Sequence, residues 1–391
     1  MARGLLAVVL ISLVLALLGT AHLYIARRLV IEPGIPEPWR SLLCGMIAVL
    51  GVGMLLQPAL ERFFPPGRIR WAAWPPLVWM GVFFLSLCLL LFSDGLLWLL
   101  GAGFGPGVEA DPRAWARLQA GGVVALTVAA VALGLPAALR VPAVKRVRVP
   151  LARWPASLDG FRIVQITDIH IGPILDRRFA TRLTEAVNAL EPDLIAMTGD
   201  LVDGRVEHLR EEVAPFAGLR ARHGVFFVVG NHDFYSGAGG WVERVTELGM
   251  RPLRNERVAI EQDGGVFDLA GVDDYRGDWR LGSTQDLPAA LEGRDTQRPV
   301  VLLAHDPSTF SEAAALGVDL QLSGHTHGGQ IWPFRWLVRL AVRWVEGLHW
   351  VGASALYVSR GTGFWGPPIR LGAPAEITEL TLKRAEPEAS A

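Results

Sequence analysis

Residues 161–170 read FRIVQITDIH. A short run of mostly apolar, β-branched residues ends on a carboxylate and an imidazole, Asp168 and His170, two positions apart. Such a run, too short for a helix and bounded by polar residues, predicts a buried β-strand. Successive side chains of an extended chain point to opposite faces, so a D-x-H pair can direct both polar groups at one point. The arrangement recurs along the chain. LIAMT (194–198) precedes Gly199-Asp200, VFFVV (225–229) precedes Gly230-Asn231-His232-Asp233, and VVLLA (300–304) precedes His305-Asp306. His325 and His327 repeat the two-residue spacing, and residues 179–190 carry helical spacing between the first two strands. Strands alternating with helices, with polar residues just past the strand ends, predict a layered α/β domain.

The side chains gathered at those strand ends suggest a chemistry. Imidazoles and carboxylates together suit intermediate divalent metals such as Mn, Fe or Zn, whereas an all-oxygen set would favour Mg or Ca. There are too many ligands for one ion, while two ions about 3.5–4 Å apart would use them all with one bridging carboxylate. A single Gly-Asp or His-Asp after a strand is ordinarily a turn. Five such elements in order between residues 168 and 327 are a pattern.

The ordered set TDIH (167–170), TGDLVD (198–203), GNHD (230–233), AHDP (304–307) and GHTHGGQ (324–330) resembles the calcineurin-like metallophosphoesterase superfamily. The stretch YVSRGTGFWGPPIRLGAPAEITELTL (357–382) is similar to the close of its bacterial membrane-associated branch. The resemblance implies a two-sheet αββα sandwich with the site at the carboxyl edges of the strands. It implies that Asp168, His170 and His327 hold one metal, that Asn231, His305 and His325 hold the second, and that Asp200 bridges them. His232 would act on the scissile phosphate, protonating the leaving oxygen or stabilising the phosphoryl charge. The implied reaction is two-metal hydrolysis of a phosphoester, with Mn, Fe or Zn as the metal.

The rest of the chain is of another character. The 391 residues have a mean hydropathy of +0.34 and a net charge of −1, too apolar for an ordinary soluble protein or a disordered one. The charge is an average: residues 1–157 hold 14 Arg/Lys against 6 Asp/Glu, and residues 158–391 hold 23 against 32. Apolar runs at about 4–26, 41–60, 77–100 and 118–139 are each long enough, at about 1.5 Å per residue, to cross about 30 Å of hydrocarbon. No small-residue cleavage site follows the first, so it is expected to stay as an anchor. Trp39, Trp71, Trp74 and Trp115 lie at span ends, as an aromatic belt requires. Asp94, late in the third run, is expected to reach headgroups or water. Cys44 and Cys88 both lie in apolar runs, which excludes a disulfide framework or a cysteine metal cluster.

With the amino terminus inside, inside segments carry nine Arg/Lys and outside loops five, which puts the catalytic domain in the cytoplasm of a bacterial inner membrane. Residues 141–157, with Pro142, Pro150 and Pro155 among basic residues, read as a juxtamembrane linker between a helical domain (1–140) and the catalytic domain (158–385), with 386–391 a tail.

After GHTHGGQ comes IWPFRWLVRLAVRWVEGLHWVG (331–352), with four tryptophans and Arg335, Arg339 and Arg343 at i, i+4 and i+8. A helix here would carry one basic stripe against an apolar surface, the pattern of a helix lying on a membrane. The expectation is a lid that touches the bilayer and admits a lipid-linked phosphate substrate, with arginines meeting phosphates. Candidates are a phospholipid or a nucleotide-linked glycolipid, since the resembling branch includes enzymes that cleave the pyrophosphate of UDP-2,3-diacylglucosamine. The alternatives are a tethered general or cyclic-nucleotide phosphodiesterase, and a membrane sensor with a regulatory metal-binding domain. A regulator has no need of His232. No specific nucleic-acid binding is expected. His22, His208, His223 and His349 read as structural or solvated, with His208 near enough to the Asp200 loop to line a pocket.

Overall fold

A computed structural model describes residues 2–104, 111–275, 277 and 284–385. The chain folds as two compact units, residues 1–60, 71–135 and 366–368, and residues 61–70, 136–365 and 369–391.

The first unit is built on four helices: α1 (Ala2–Ala26), α2 (Trp39–Phe63), α3 (Pro66–Phe104) and α4 (Pro112–Leu139). All four are long and apolar enough to cross a membrane. Large apolar side chains such as Leu17, Leu23, Val49, Phe92 and Leu133 point outward along them, the inverse of a soluble bundle. The third helix starts eleven residues earlier than its apolar run, because Pro75 and Pro76 are carried inside the helix. Asp94 is paired within the helical unit. Its carboxylate accepts hydrogen bonds from Tyr24 of α1, from Arg28 in the π-helical turn after it, and from Gln119 of α4. Within lipid a carboxylate is costly unless paired, and here three neighbours satisfy it. His22 has the structural role expected of it. Its Nδ1 donates to the Leu18 carbonyl at 2.8 Å, and its Nε2 accepts from Trp79 Nε1 at 3.1 Å.

The second unit holds two six-stranded sheets. In chain order the strands are β1 (Ala143–Leu151), β2 (Arg162–Ile166), β3 (Leu194–Met197), β4 (Val225–Phe227), β5 (Arg251–Pro252), β6 (Glu256–Gln262), β7 (Gly265–Gly271), β8 (Val300–Leu303), β9 (Leu320–Ser323), β10 (Gly347–Val351), β11 (Ser354–Val358) and β12 (Glu376–Arg384). One sheet runs β1-β12-β2-β3-β4-β5 and the other β10-β11-β9-β8-β7-β6. The helices are α5 (Arg177–Asn188), α6 (Val206–Leu209), α7 (Asn231–Glu247), α8 (Leu287–Leu291), α9 (Phe310–Ala315) and α10 (Phe334–Ala341).

Period two along β2 explains the layers. Ile163 faces the other sheet, where it joins Leu194, Phe226, Phe267, Leu269, Val301 and Leu322 in one core. Val164 and Ile166 face outward against Phe179, Leu183 and Val187 of α5 and Trp241 and Val245 of α7. On the far side Ala270, Val300 and Leu302 pack on Leu287 and Ala290 of α8 and Ala313 of α9. Burying a Leu, Ile or Phe side chain is worth about 1.5–3 kcal/mol, so strands apolar on both faces are stable only when covered on both. This is the expected αββα sandwich.

Residues 143–151 are not a linker. They form β1 at the sheet edge, parallel to β12, with Val149 and Leu151 fully buried and Arg146, Arg148 and Pro150 facing out. Proline is tolerated on an edge strand, where a missing N–H leaves no ladder partner unsatisfied. Trp154, in the same stretch, lies in the core between the sheets and donates to the Leu158 carbonyl at 2.9 Å.

Candidate metal centre

Five parallel strands, β2, β3 and β4 of one sheet and β8 and β9 of the other, deliver the polar residues from their carboxyl ends. The side chains fall into two groups that share one atom. His170 Nε2 lies 3.1 Å from His327 Nε2, and His327 Nε2 lies 3.5 Å from Asp168 Oδ1. Asp200 Oδ2 is 3.8 Å from His170 Nε2 on that side and 3.1 Å from His305 Nε2 on the other. His325 Nδ1 lies 3.3 Å from His305 Nε2. Asn231 Oδ1 and Asp168 Oδ2 are buried without a hydrogen-bond partner. All seven residues expected to hold metal, Asp168, His170, Asp200, Asn231, His305, His325 and His327, are among those at the five strand ends.

Donor chemistry shows that this set fits two cations. His305 Nδ1 donates to the Thr198 carbonyl at 2.8 Å, which leaves Nε2 facing the Asp200 carboxylate at 3.1 Å. That contact is favourable only with positive charge between the two, a proton or a metal cation. Burial alone would depress the His305 pKa, but Asp200, Asp168 and Asp274 outweigh it and raise it well above the usual imidazole range. His327 is the opposite case: burial and the Arg370 guanidinium hold its pKa well down, so it stays neutral. Burial would raise the Asp200 pKa, yet His305, His170 and His232 keep it far below the carboxylate range. Orphaned oxygens on Asp168 and Asn231 complete a set that calls for metal.

The backbone is shaped to the purpose. Asp168, His170, Asp200, His325 and His327, five of the seven expected ligands, have φ between 51° and 72°, in the left-handed region. Each such residue costs on the order of 1–3 kcal/mol and persists only where its surroundings enforce it. Enforcement comes from hydrogen bonds: Asp168 N–H donates to the Gly199 carbonyl at 3.0 Å, and Ile169 N–H to the Asp200 carbonyl at 2.9 Å. Asp233 accepts from the amides of Asp200, Leu201 and Gly230, each at 2.9 Å, and latches the β3 loop to the start of α7. The glycines of G-N-H-D and G-H-x-H are needed for close approach: a Cβ on Gly230 would overlap Asp200 Oδ1, and one on Gly324 would overlap Asp168 Oδ2.

Sequence reasoning missed two residues. Asp203 Oδ1 accepts from His170 Nδ1 at 2.9 Å and from His232 Nδ1 at 2.7 Å, so one oxygen orients both a ligand and the candidate proton donor. Burial would lower the His232 pKa, but Asp203 and Asp200 outweigh it and bring it up to about 9. The signal was present in TGDLVD, where Asp203 stands three residues after Asp200. Arg370, 3% exposed, donates from Nη1 to the His327 carbonyl at 2.8 Å and from Nη2 to His327 Nδ1 at 3.1 Å. An arginine has no acceptor, so His327 Nδ1 is the acceptor and the neutral ring carries its proton on Nε2, towards His170 and Asp168, where a bound cation would have to displace it.

The tryptophan-rich insert differs from expectation. The helix α10 ends at Ala341 and Val342 is extended, so Arg343 lies off the helix and the three-arginine stripe does not form. Arg335 is paired with Glu346 rather than turned to a phosphate. Arg339 stacks over Trp336 at 5.1 Å and Arg343 over Trp344 at 4.5 Å. What α10 presents outward is mostly apolar: Trp336, Leu337 and Leu340 are exposed beside Arg339, Leu340 at 86%, with Trp332 just before the helix. Two of the remaining histidines are structural: His223 bonds Gln262 at 2.9 Å and His349 the Glu346 carbonyl at 2.8 Å, while His208 borders a recess beside Asp203 and Gly204.

The calcineurin-like phosphoesterase family profile matches residues 161–329. A protein of Bos taurus named "Transmembrane protein with metallophosphoesterase domain" is 38% identical over 323 residues, 78% of this chain and 72% of the relative. Its namesake in Danio rerio is 32% identical over 388 residues, covering 95% of this chain and 88% of the relative. An "Uncharacterized metallophosphoesterase" of Helicobacter pylori is 39% identical over 241 residues, 60% of this chain and 64% of the relative. With its motifs at the expected strand ends and its vertebrate relatives matched over most of their length, the chain belongs to the calcineurin-like phosphoesterase family.

Proposed function

We propose that this membrane-linked phosphoesterase uses two divalent cations to hydrolyse a phosphodiester or pyrophosphate bond in a lipid-linked, amphiphilic substrate. The observation that carries the two-metal part is the sharing of Asp200 Oδ2 between two ligand groups. Asp168, His170 and His327 would hold one cation, Asn231, His305 and His325 the other, with Asp200 bridging. Bound cations of this kind supply Lewis-acid stabilisation of phosphoryl charge and lower the pKa of the attacking water. The chain's own residues do the rest. His232, held at Nδ1 by Asp203, keeps a proton at neutral pH and offers Nε2 to the leaving oxygen. Asp233 and Asp203 fix the ligand loops so that no reorganisation is needed as the reaction proceeds.

The lipid-linked part is supported by α10. It follows the last metal ligand by seven residues and exposes tryptophan and leucine, with arginines lying over tryptophan rings, the composition of an interfacial helix. The substrate would then be a phospholipid or nucleotide-linked glycolipid held with its phosphate at the site. The charge balance favours a cytoplasmic catalytic domain in a bacterial inner membrane, and low alkaline phosphatase activity of a fusion after Ala391 is the expected result.

The test uses the full chain in lipid nanodiscs with Mn. Asp200→Asn should abolish hydrolysis of bis(p-nitrophenyl) phosphate, and His232→Ala should keep the metal while losing about 10²–10⁴-fold in turnover. Normal activity in either variant overturns the two-metal reading. Vesicle-borne UDP-diacylglucosamine or phospholipid should outcompete soluble cyclic nucleotides as substrate. The reverse order overturns the lipid-linked reading in favour of a tethered soluble-substrate phosphodiesterase.

A further inference from the structure

The ring of His232 has aromatic neighbours that neither metal binding nor hydrolysis explains. On the metal side it meets His170 edge to face, with centroids 4.8 Å apart. It also meets Tyr235 at 5.5 Å and Trp365 at 5.7 Å, both edge to face. Tyr235 stands three residues after His232 on α7, one turn on and so on the same face. Trp365 comes from the loop between β11 and β12, far away in sequence.

Neither ring is packed away. Tyr235 is 58% exposed and Trp365 51%. Trp365 is nonetheless held in place, because the buried Gln330 side chain binds its backbone twice. Gln330 Nε2 donates to the Trp365 carbonyl at 2.8 Å, and Trp365 N–H donates to Gln330 Oε1 at 3.0 Å. Gln330 ends the GHTHGGQ motif, so the loop that supplies two metal ligands also positions this tryptophan. A large ring kept half in water by a buried clamp, edge to face with His232, is surface reserved for a ligand.

The place identifies which part of a substrate lies there. If His232 protonates the leaving oxygen, the group attached to that oxygen must extend from His232 past Tyr235 and Trp365. The neighbourhood is polar, with the His232 imidazole and the candidate metal ligands beside it. A hydrocarbon chain gains nothing from such groups, whereas a planar π system stacks on the exposed aromatic rings. Resting on the proposed hydrolysis at this centre, we propose that Tyr235 and Trp365 form a subsite for a planar ring, an aryl group or nucleobase, on the leaving side of the scissile bond.

The experiment reads binding rather than turnover. Methylphosphonate, cyclohexylphosphonate and phenylphosphonate are titrated calorimetrically into the Mn-loaded full chain in nanodiscs. They share one charged head, and the last two differ in ring planarity at nearly equal size. Phenylphosphonate should bind at least about fivefold more tightly than cyclohexylphosphonate, the scale of one stacking contact. Tyr235→Ala and Trp365→Ala should each erode that preference, Trp365→Phe should preserve it, and methylphosphonate should bind all variants alike. Equal binding of the phenyl and cyclohexyl compounds by the unsubstituted chain, or an unchanged preference in both alanine variants, overturns the subsite. A failure of the parent proposal is distinguishable, because it shows as lost hydrolysis of the bis(p-nitrophenyl) reporter, measured separately.

Discussion

Asp203→Asn is the most discriminating single substitution in this molecule, because one oxygen serves two purposes. Asp203 Oδ1 takes the Nδ1 proton of His170 at 2.9 Å and of His232 at 2.7 Å, and the carboxylate is held far below its usual pKa because those imidazoles outweigh the cost of its burial. Hydrogen bonds to a charged group are worth about 1.5–3 kcal/mol, and the neutral amide of asparagine removes the charge from both. The His232 arm alone then predicts a loss in kcat of about 10²-fold, since the proton is no longer held where the leaving oxygen needs it. The His170 arm predicts a second, separable loss, because partners of this kind typically change metal affinity by about 10–100-fold. The assay is hydrolysis of bis(p-nitrophenyl) phosphate across a Mn titration, which yields an apparent metal affinity and a limiting kcat for each variant. Both should fall. Asp203→Asn combined with His232→Ala should match His232→Ala alone in limiting kcat, because groups acting as a unit are not additive. A limiting kcat within about threefold of the unsubstituted chain would refute the coupling, since losing a charged partner costs more than that.

Three further outcomes follow from particular contacts. Arg370→Met leaves the Gly363 carbonyl without its donor, at about 1–3 kcal/mol, takes one of two donors from the His327 carbonyl, and removes the contact to His327 Nδ1; mass spectrometry of the purified protein should show bound metal falling towards one ion per chain. Gly230→Ala forces a methyl group onto Asp200 Oδ1, so thermal stability and metal content should fall together, and a variant that keeps its full metal content would show that the α7 loop has room to move. Asp94→Asn weakens the hydrogen bonds that tie α3 to Tyr24, Arg28 and Gln119; at about 1 kcal/mol for interhelical polar contacts in a membrane, the melting temperature in detergent should drop modestly while phosphonate binding is unchanged.

The strand ends and the polar residues gathered there were legible because the signal is local: an apolar run, then a carboxylate or imidazole within four residues. What was missed depends on partners distant in sequence. Residues 143–151 read as a linker because their alternation of Val and Leu with Arg and Pro is weak, and their strand partner is more than 230 residues further on. Asp203 lay in plain view in TGDLVD, but its role needs His170 and His232, which only the folded chain brings to one oxygen. Arg370 looked like one more basic residue near the carboxyl end. Its guanidinium is buried among the carbonyls of His327, Arg360, Gly363 and Ala373. The arginine stripe after GHTHGGQ is the opposite error: spacing of i, i+4, i+8 is a helical pattern only while the helix lasts, and α10 ends before Arg343.

The left-handed ligands have a consequence for how this enzyme can evolve. At Asp168, His170, Asp200, His325 and His327 the residue that suits the chemistry is not the one that suits the backbone. At a position with positive φ, glycine relieves strain that an aspartate or histidine carries, and asparagine relieves it where a histidine stands. Those same five positions crowd charge and lone pairs together at one end of the sandwich. In the absence of metal, therefore, replacements that abolish activity, such as His325→Asn or Asp168→Gly, should raise the melting temperature rather than lower it. Activity and robustness pull in opposite directions at the same residues. A lineage released from selection for catalysis would be expected to lose its ligands first and to keep the sandwich, leaving dead copies that fold better than the enzymes they came from.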